Sequence, residues 1–188
     1  CVIDAIRHDI TIYAAHTNMD VVSNGVSGRM ADKLDLYHRQ ILQPEGDPMT
    51  GNGFGIIGEL QHPVESMAFL QQIKEIFRCD RLRYTTPHIL SIQRVAVCGG
   101  AGASFFKQAL AGQADIYISG DFKYHDFFLT ENRIMIADIG HYESEQFTKE
   151  IFYEILTKKI SKFAVQFSEI NTNPVSYTHL RAHETGAY

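Results

Sequence analysis

The chain has 188 residues, 45% of them hydrophobic and 21% charged, with a formal net charge of −5, which suffices for one packed domain of ordinary soluble composition. The negative balance excludes the broad basic footprint of a nucleic-acid binder, and no apolar run reaches membrane-spanning length. Cys1, Cys79 and Cys98 form no CxxC pair, which argues against a disulfide scaffold or a thiolate zinc site and fits a reducing cytoplasm.

Residues 2–9 read as the later part of a helix, with Ile3, Ile6 and Ile10 at helical spacing. A start without Met, inside an element, reads as an N-terminal truncation. Residues 10–16 are apolar and β-rich, so a strand is expected there, ending in His16-Thr-Asn-Met-Asp20. Asp20 is then either a ligand or acid/base group beyond a strand's carboxyl end, or a turn cap. A helix is expected over 26–36, with Met30, Ala31 and Leu34 apolar. Residues 43–58 are rich in Gly and Pro and read as a loop followed by a short strand at 54–57. No Gly-Lys-Ser/Thr follows, which argues against a phosphate loop. Pro63 is placed in the first turn of a helix whose apolar face includes Met67, Leu70, Ile73 and Phe77. His62, just before it, reads as a surface residue.

A short strand is expected at 81–84 and a stronger one at 92–98. Gly99-Gly-Ala-Gly102 follows, then a helix to about residue 111. Strand, glycines and helix start can together hold an anion, but GxGxxG is missing and a tight, close-packed turn is the favoured reading. Cys98 reads as core. Residues 114–120 form a further strand ending in Gly120-Asp121, and a helix opening at 123–128 brings His125 four positions later. The apolar run 134–139 is a buried strand, 146–159 an amphipathic helix, and 163–167 a last strand. Residues 176–188 lack apolar periodicity and read as a non-native tail, so His179 and His183 are set aside.

Between the strand at 134–139 and the helix at 146–159 lies Asp138-Ile-Gly-His141-Tyr-Glu-Ser-Glu145. If the helix begins near Gly140, His141 and Glu145 share one face and offer half of a metal site. The plainer alternative is a turn cap and a carboxylate suited to the helix dipole. Glu143 points away from Glu145 and reads as solvated or capping. His16/Asp20, Asp121/His125 and His141/Glu145 all follow expected strands, which raises a shared site above chance. Strands alternating with helices give an α/β layered domain with mixed, partly parallel sheets flanked by helices.

The stretches Ala15-His-Thr-Asn-Met-Asp20, Gly55-Ile-Ile-Gly-Glu-Leu60, Arg94-Val-Ala-Val-Cys-Gly-Gly100, Tyr117-Ile-Ser-Gly-Asp121 and Asp138-Ile-Gly-His-Tyr-Glu-Ser-Glu145 occur in this order. Together they resemble the Nif-three-like dinuclear metal-centre hexameric proteins, also called GTP cyclohydrolase I type 2 homologues, over roughly residues 1–175. The resemblance implies a two-lobed α/β protomer, assembly with itself as a homohexamer, and two divalent metal ions, zinc or iron. It implies Asp20, His141 and Glu145 as metal ligands. The family's upstream His-His pair has no counterpart in this sequence, and the run from Leu60 to Ile92 is too short for the ferredoxin-like domain that some members insert. His16, Asp121 and His125 are the candidates for supporting the ligands or moving protons.

The expected function is a metal-dependent hydrolase acting on a nucleotide or phosphate ester. The alternative is a non-enzymatic metal-binding scaffold or interaction protein. A DNA-associated ring is disfavoured by the charge. Arg78, Arg81 and Arg83 could contact a phosphate or another subunit, with a solvated face as the favoured reading.

Overall fold

The computed structural model describes residues 1–176. The expected tail, with His179 and His183, falls outside the described residues except for Ser176. Helix α1 (Val2–Arg7), short α2 (Thr17–Val21) and α3 (Val26–Lys33) precede a hairpin of β1 (Tyr37–Pro44) and β2 (Gly53–Glu65). Helix α4 (Ser66–Ile76) leads to the two-residue β3 (Arg83–Tyr84) and to β4 (Ser91–Val97). After a 3-10 turn come α5 (Phe106–Ala111) and β5 (Ile116–Ser119); after another come β6 (Met135–Asp138), α6 (His141–Glu145) and α7 (Thr148–Lys159).

One mixed sheet holds these strands in the order β1-β2-β4-β5-β6-β3. Strands β4, β5 and β6 run parallel, while β1, β2 and β3 pair antiparallel to their neighbours. The parallel strands are buried on both faces, so they read as continuous apolar runs, and their alternation sorts two cores. Val95, Val97, Ile116, Ile118, Met135 and Ala137 face Met30, Phe69, Ile73 and Phe77 of α3, α4 and its C-cap. Ala96, Cys98, Tyr117, Ile134 and Ile136 face Phe106 and Ala109 of α5. Among the described residues no helix is long and apolar enough to cross a membrane.

Several expected elements differ. Residues 10–15 carry no regular structure, and Ile10, Ile12 and Tyr13 are exposed; a β-rich composition makes no strand without a neighbour to complete its hydrogen bonds. Residues 163–167 are likewise unpaired, and Phe167 instead stacks on Tyr153 of α7, ring centroids 4.6 Å apart. The polar segment 37–44 is a strand, registered against β2 from Tyr37↔Glu59 to Pro44↔Gly53. Pro63 lies inside β2, where the pairing with β4 skips from Glu59 to Val64, a place that tolerates a missing N–H. Helix α4 starts later than expected, at Ser66, because the Glu65 carboxylate caps it, accepting from Met67 N and Ala68 N at 3.0 and 2.7 Å. The segment after Asp121 is a 3-10 turn over Tyr124–Thr130.

Candidate functional site

Parallel register brings the site together. Ser119 of β5 lies opposite Asp138 of β6, so the segments that follow, Gly120-Asp121 and Gly140-His141, leave the sheet side by side at its carboxyl edge. Asp121 sits in the left-handed region at φ 58°, which Asp tolerates better than most residues. His141 Nδ1 lies 2.7 Å from Asp121 Oδ2, and its Nε2 lies 3.3 Å from Glu145 Oε1, one turn along α6. Each ring nitrogen thus meets a carboxylate. The protonated ring, with two N–H donors, satisfies both at once.

Electrostatics tie in the earlier segment. Burial raises the Asp20 pKa, and the charges of His16 and His141 pull against that rise. Burial also raises the Glu145 pKa, against the pull of His141, with Asp20 adding to the rise. For His141, burial works against protonation, yet the Asp121 hydrogen bond and the charges of Glu145, Asp121 and Asp20 outweigh it and hold the pKa up. Asp20, Asp121, His141 and Glu145 therefore share one field, with His16 at its margin. Residues 16–20 reach it through short helix α2, not a strand; its entry is fixed by the His16 N–H donating to Asn18 Oδ1 at 2.8 Å. His125 is not among these groups: it is exposed and packs its ring against Tyr124 and Phe128.

Three supports were not singled out from the sequence. Gly100, at φ 63°, forms the floor, since a Cβ there would lie 2.5 Å from Glu145 Oε1 and 3.5 Å from His141 Cε1. Ser144 is buried and bridges that floor to α6: its Oγ accepts from Gly100 N at 2.8 Å and donates to the His141 carbonyl at 2.7 Å. Asp138, also buried, accepts from Phe122 N at 3.1 Å, from Gly140 N at 3.0 Å and from the Arg83 guanidinium. It thus pins the residue after Asp121 and the residue before His141. A charged residue ending an apolar strand was the legible signal, since a buried carboxylate needs such partners.

A cavity of about 870 Å³ opens beside the cluster, lined by Asp121, His141 and Glu145, by Arg81, Arg83 and Lys149, and by the extended segment 168–175. Arg83 is therefore no part of a purely solvated face: it pairs with Asp138 and the Phe122 carbonyl. Glu143 is buried rather than solvated. Cys98 is sealed in the core, its thiol pKa pushed up to about 11 by burial.

The residues present suit a divalent cation in kind. Two carboxylates and an imidazole are oxygen and nitrogen donors of the type zinc, iron and manganese accept, and part-burial raises the pKa of both Asp20 and Glu145 against the pull of His16 and His141. In position, however, no group of three or more His, Cys, Asp or Glu among the described residues is gathered tightly enough to hold a metal ion.

The family described as Duf34/NIF3 (NGG1p interacting factor 3) matches residues 1–174. A Streptococcus pneumoniae protein named GTP cyclohydrolase 1 type 2 homolog is 37% identical over 180 residues, covering 92% of this chain and 66% of that relative. A Staphylococcus aureus hypothetical protein of known crystal structure shares the fold with a TM-score of 0.81 at 25% identity, over 92% of this chain and 70% of the other. A Bacillus cereus protein related to NIF3 gives 0.79 at 20% identity, over 94% and 76%, a likeness of fold alone. The chain spans 66% of the length of the first curated relatives it matches.

Proposed function

Since this chain belongs to the Duf34/NIF3 family, we propose that its site binds divalent metal through Asp20, His141 and Glu145 and serves hydrolysis. The observation that carries this reading is the arrangement at His141, flanked by Asp121 at 2.7 Å and Glu145 at 3.3 Å and acted on by Asp20, beside a cavity large enough for a small molecule. Several of its relatives carry the name GTP cyclohydrolase 1 type 2 homolog.

A bound divalent ion would supply an acidified water and a Lewis acid for the scissile bond. The chain's own part is to hold and orient. Asp121 fixes the His141 ring through Nδ1, so Nε2 would be the nitrogen offered to an ion. Glu145 Oε1 stands across from that nitrogen, with Gly100 leaving it room. Asp121 and His16 are the groups placed to take or return a proton. Arg83 and Lys149, on the cavity wall, suit an anionic part of a substrate. Assembly as a homohexamer with two zinc or iron ions per chain belongs to the same proposal.

The test is elemental analysis of the purified chain after dialysis against zinc or iron, beside His141→Ala and Glu145→Ala, followed by a hydrolysis screen of nucleotides and phosphate esters. Retained metal that both variants lose, with turnover that falls with it, supports the reading. Metal equal in all three removes these residues from the site. Metal without turnover favours the scaffold reading, in which the same ligands hold an ion for assembly.

A further inference from the structure

The glycine loop that follows β4 is bonded to serines, and each serine comes from a different element around the site. The Gly99 N–H donates to Ser27 Oγ of α3 at 3.2 Å, the Gly100 N–H to Ser144 Oγ of α6 at 2.8 Å, and the Gly102 N–H to Ser119 Oγ of β5 at 3.0 Å. All three serines are buried. Two of them bond onward: the Ser119 hydroxyl donates to the Gly100 carbonyl at 3.1 Å, and the Ser144 hydroxyl to the His141 carbonyl at 2.7 Å. The loop is shaped for so close an approach, since a Cβ on Gly102 would lie 2.3 Å from Ser119 Oγ.

The places of these serines match those of the site groups. Ser119 stands two residues before Asp121, and Ser144 lies between His141 and Glu145. Ser27 is in the first turn of α3, the helix that follows the Asp20 segment, and the Asp20 charge is felt at Cys98, next to Gly99. The segments that supply Asp20, Asp121 and His141 with Glu145 therefore meet on one frame. Apolar packing holds such segments together without direction. A buried hydrogen bond sets distance and angle, and is expensive to leave unmade. With the amides of Gly99, Gly100 and Gly102 taken by serines, an anionic part of a substrate is left to the cavity wall.

We infer that Ser27, Ser119 and Ser144 are the positioning residues of this site: each ties one segment that carries its functional groups to the glycine loop, and the three bonds together set how those groups are placed. This rests on the reading of Asp20, His141 and Glu145 as metal ligands and adds what fixes their relative placement.

The test compares Ser27→Ala, Ser119→Ala and Ser144→Ala with Ser66→Ala. Ser66 is equally buried but bonds the Ile89 carbonyl instead of the loop. Zinc affinity is measured by competition with a chromophoric chelator, and stability by denaturant melts. Each of the three variants is expected to weaken zinc binding about tenfold or more, the usual effect of removing a group that orients ligands. Ser66→Ala is expected to stay within about twofold although it also melts lower. Affinity that falls in step with stability across all four variants, or that stays unchanged in the three, overturns the inference. Where an alanine variant does not fold, cysteine at that position, similar in size and a weak acceptor, answers in its place. A second readout needs no metal. At fixed pH the nitrogen NMR signals of the His141 ring are expected to change in Ser119→Ala and Ser144→Ala and to hold in Ser66→Ala. A parent chain that binds no zinc counts against the functional reading alone, and the ring signals then decide: signals unchanged in both serine variants overturn the positioning role.

Discussion

Burial decides which titrating groups in this chain react. Cys79 and Cys98 are both buried, with thiols pushed up to about 12 and about 11, whereas Cys1 is exposed. Reactivity follows the thiolate and its access, so brief alkylation near pH ~8 is expected to modify Cys1 and spare the other two until the chain is unfolded, as read by mass spectrometry. Asp20 shows the same physics with a functional sign. Its folded pKa is raised by burial, so the folded chain holds that proton more tightly than the unfolded chain does. The group therefore adds stability below the ordinary carboxylate range, and that stability is lost as pH rises through the raised value. At neutral pH the ionised carboxylate works against the metal-free fold. Asp20→Asn is expected to raise the melting temperature of metal-free protein at neutral pH, with the gain vanishing in acid, while lowering metal affinity. A variant that melts lower at neutral pH would show that Asp20 is instead satisfied by the protein.

At the level of elements, the site depends on how turns meet strand ends. The glycine floor is the sharpest case. Gly100→Ala places a Cβ in a left-handed position, at a cost of roughly 1–2 kcal/mol, and directs it at Glu145 Oε1. Lower stability in denaturant melts and weaker metal retention are expected together; unchanged metal retention would mean that Glu145 swings aside freely. The parallel strands were legible because double-sided burial writes them as unbroken apolar runs, and His141 and Glu145 were legible because a spacing of four is a helical turn. Strand β1 was not, since Tyr37, His38, Arg39 and Gln40 are exposed and only pairing with β2 makes them a strand. The reverse error at 10–16 has the same root: Ile10 and Ile12 have the composition of a strand and no partner. Asp20 still enters the shared field, brought there by a helical turn. The burial of Glu143 was not legible because helical geometry gives only a direction from the axis.

Across the whole molecule, the segments that build the site are held by long-range packing. Helix α3, next in sequence to the Asp20 segment, is clamped to α7, which follows the His141 helix. Arg29 meets Glu154 at 2.6 Å and Glu150 at 3.9 Å, and Lys33 meets Glu150 at 3.0 Å while lying over the Phe147 ring. These pairs are part-exposed, so their worth is modest and salt-sensitive. Arg29→Ala is expected to cost less than about 1 kcal/mol in denaturant melts at low salt, and less still at high salt. A larger, salt-independent loss would assign Arg29 to packing rather than charge.

The sheet ends unequally. Beside β6, the strand that carries the site, the outer rung is β3, only Arg83 and Tyr84, and the Arg83 side chain is already drawn to Asp138. A foreign strand arriving there finds two residues of backbone and a fixed cation, too little for a template. At the opposite margin β1 spans eight residues, Tyr37–Pro44, with a bulge between Tyr37 and Gln40 and Pro44 at its end, which leaves residues 40–43 as its regular stretch. Of the two margins β1 is the longer template for strand-to-strand pairing between copies, blunted by its bulge and by Pro44, and it lies away from the chemistry, while the margin nearest His141 is the one that resists such pairing.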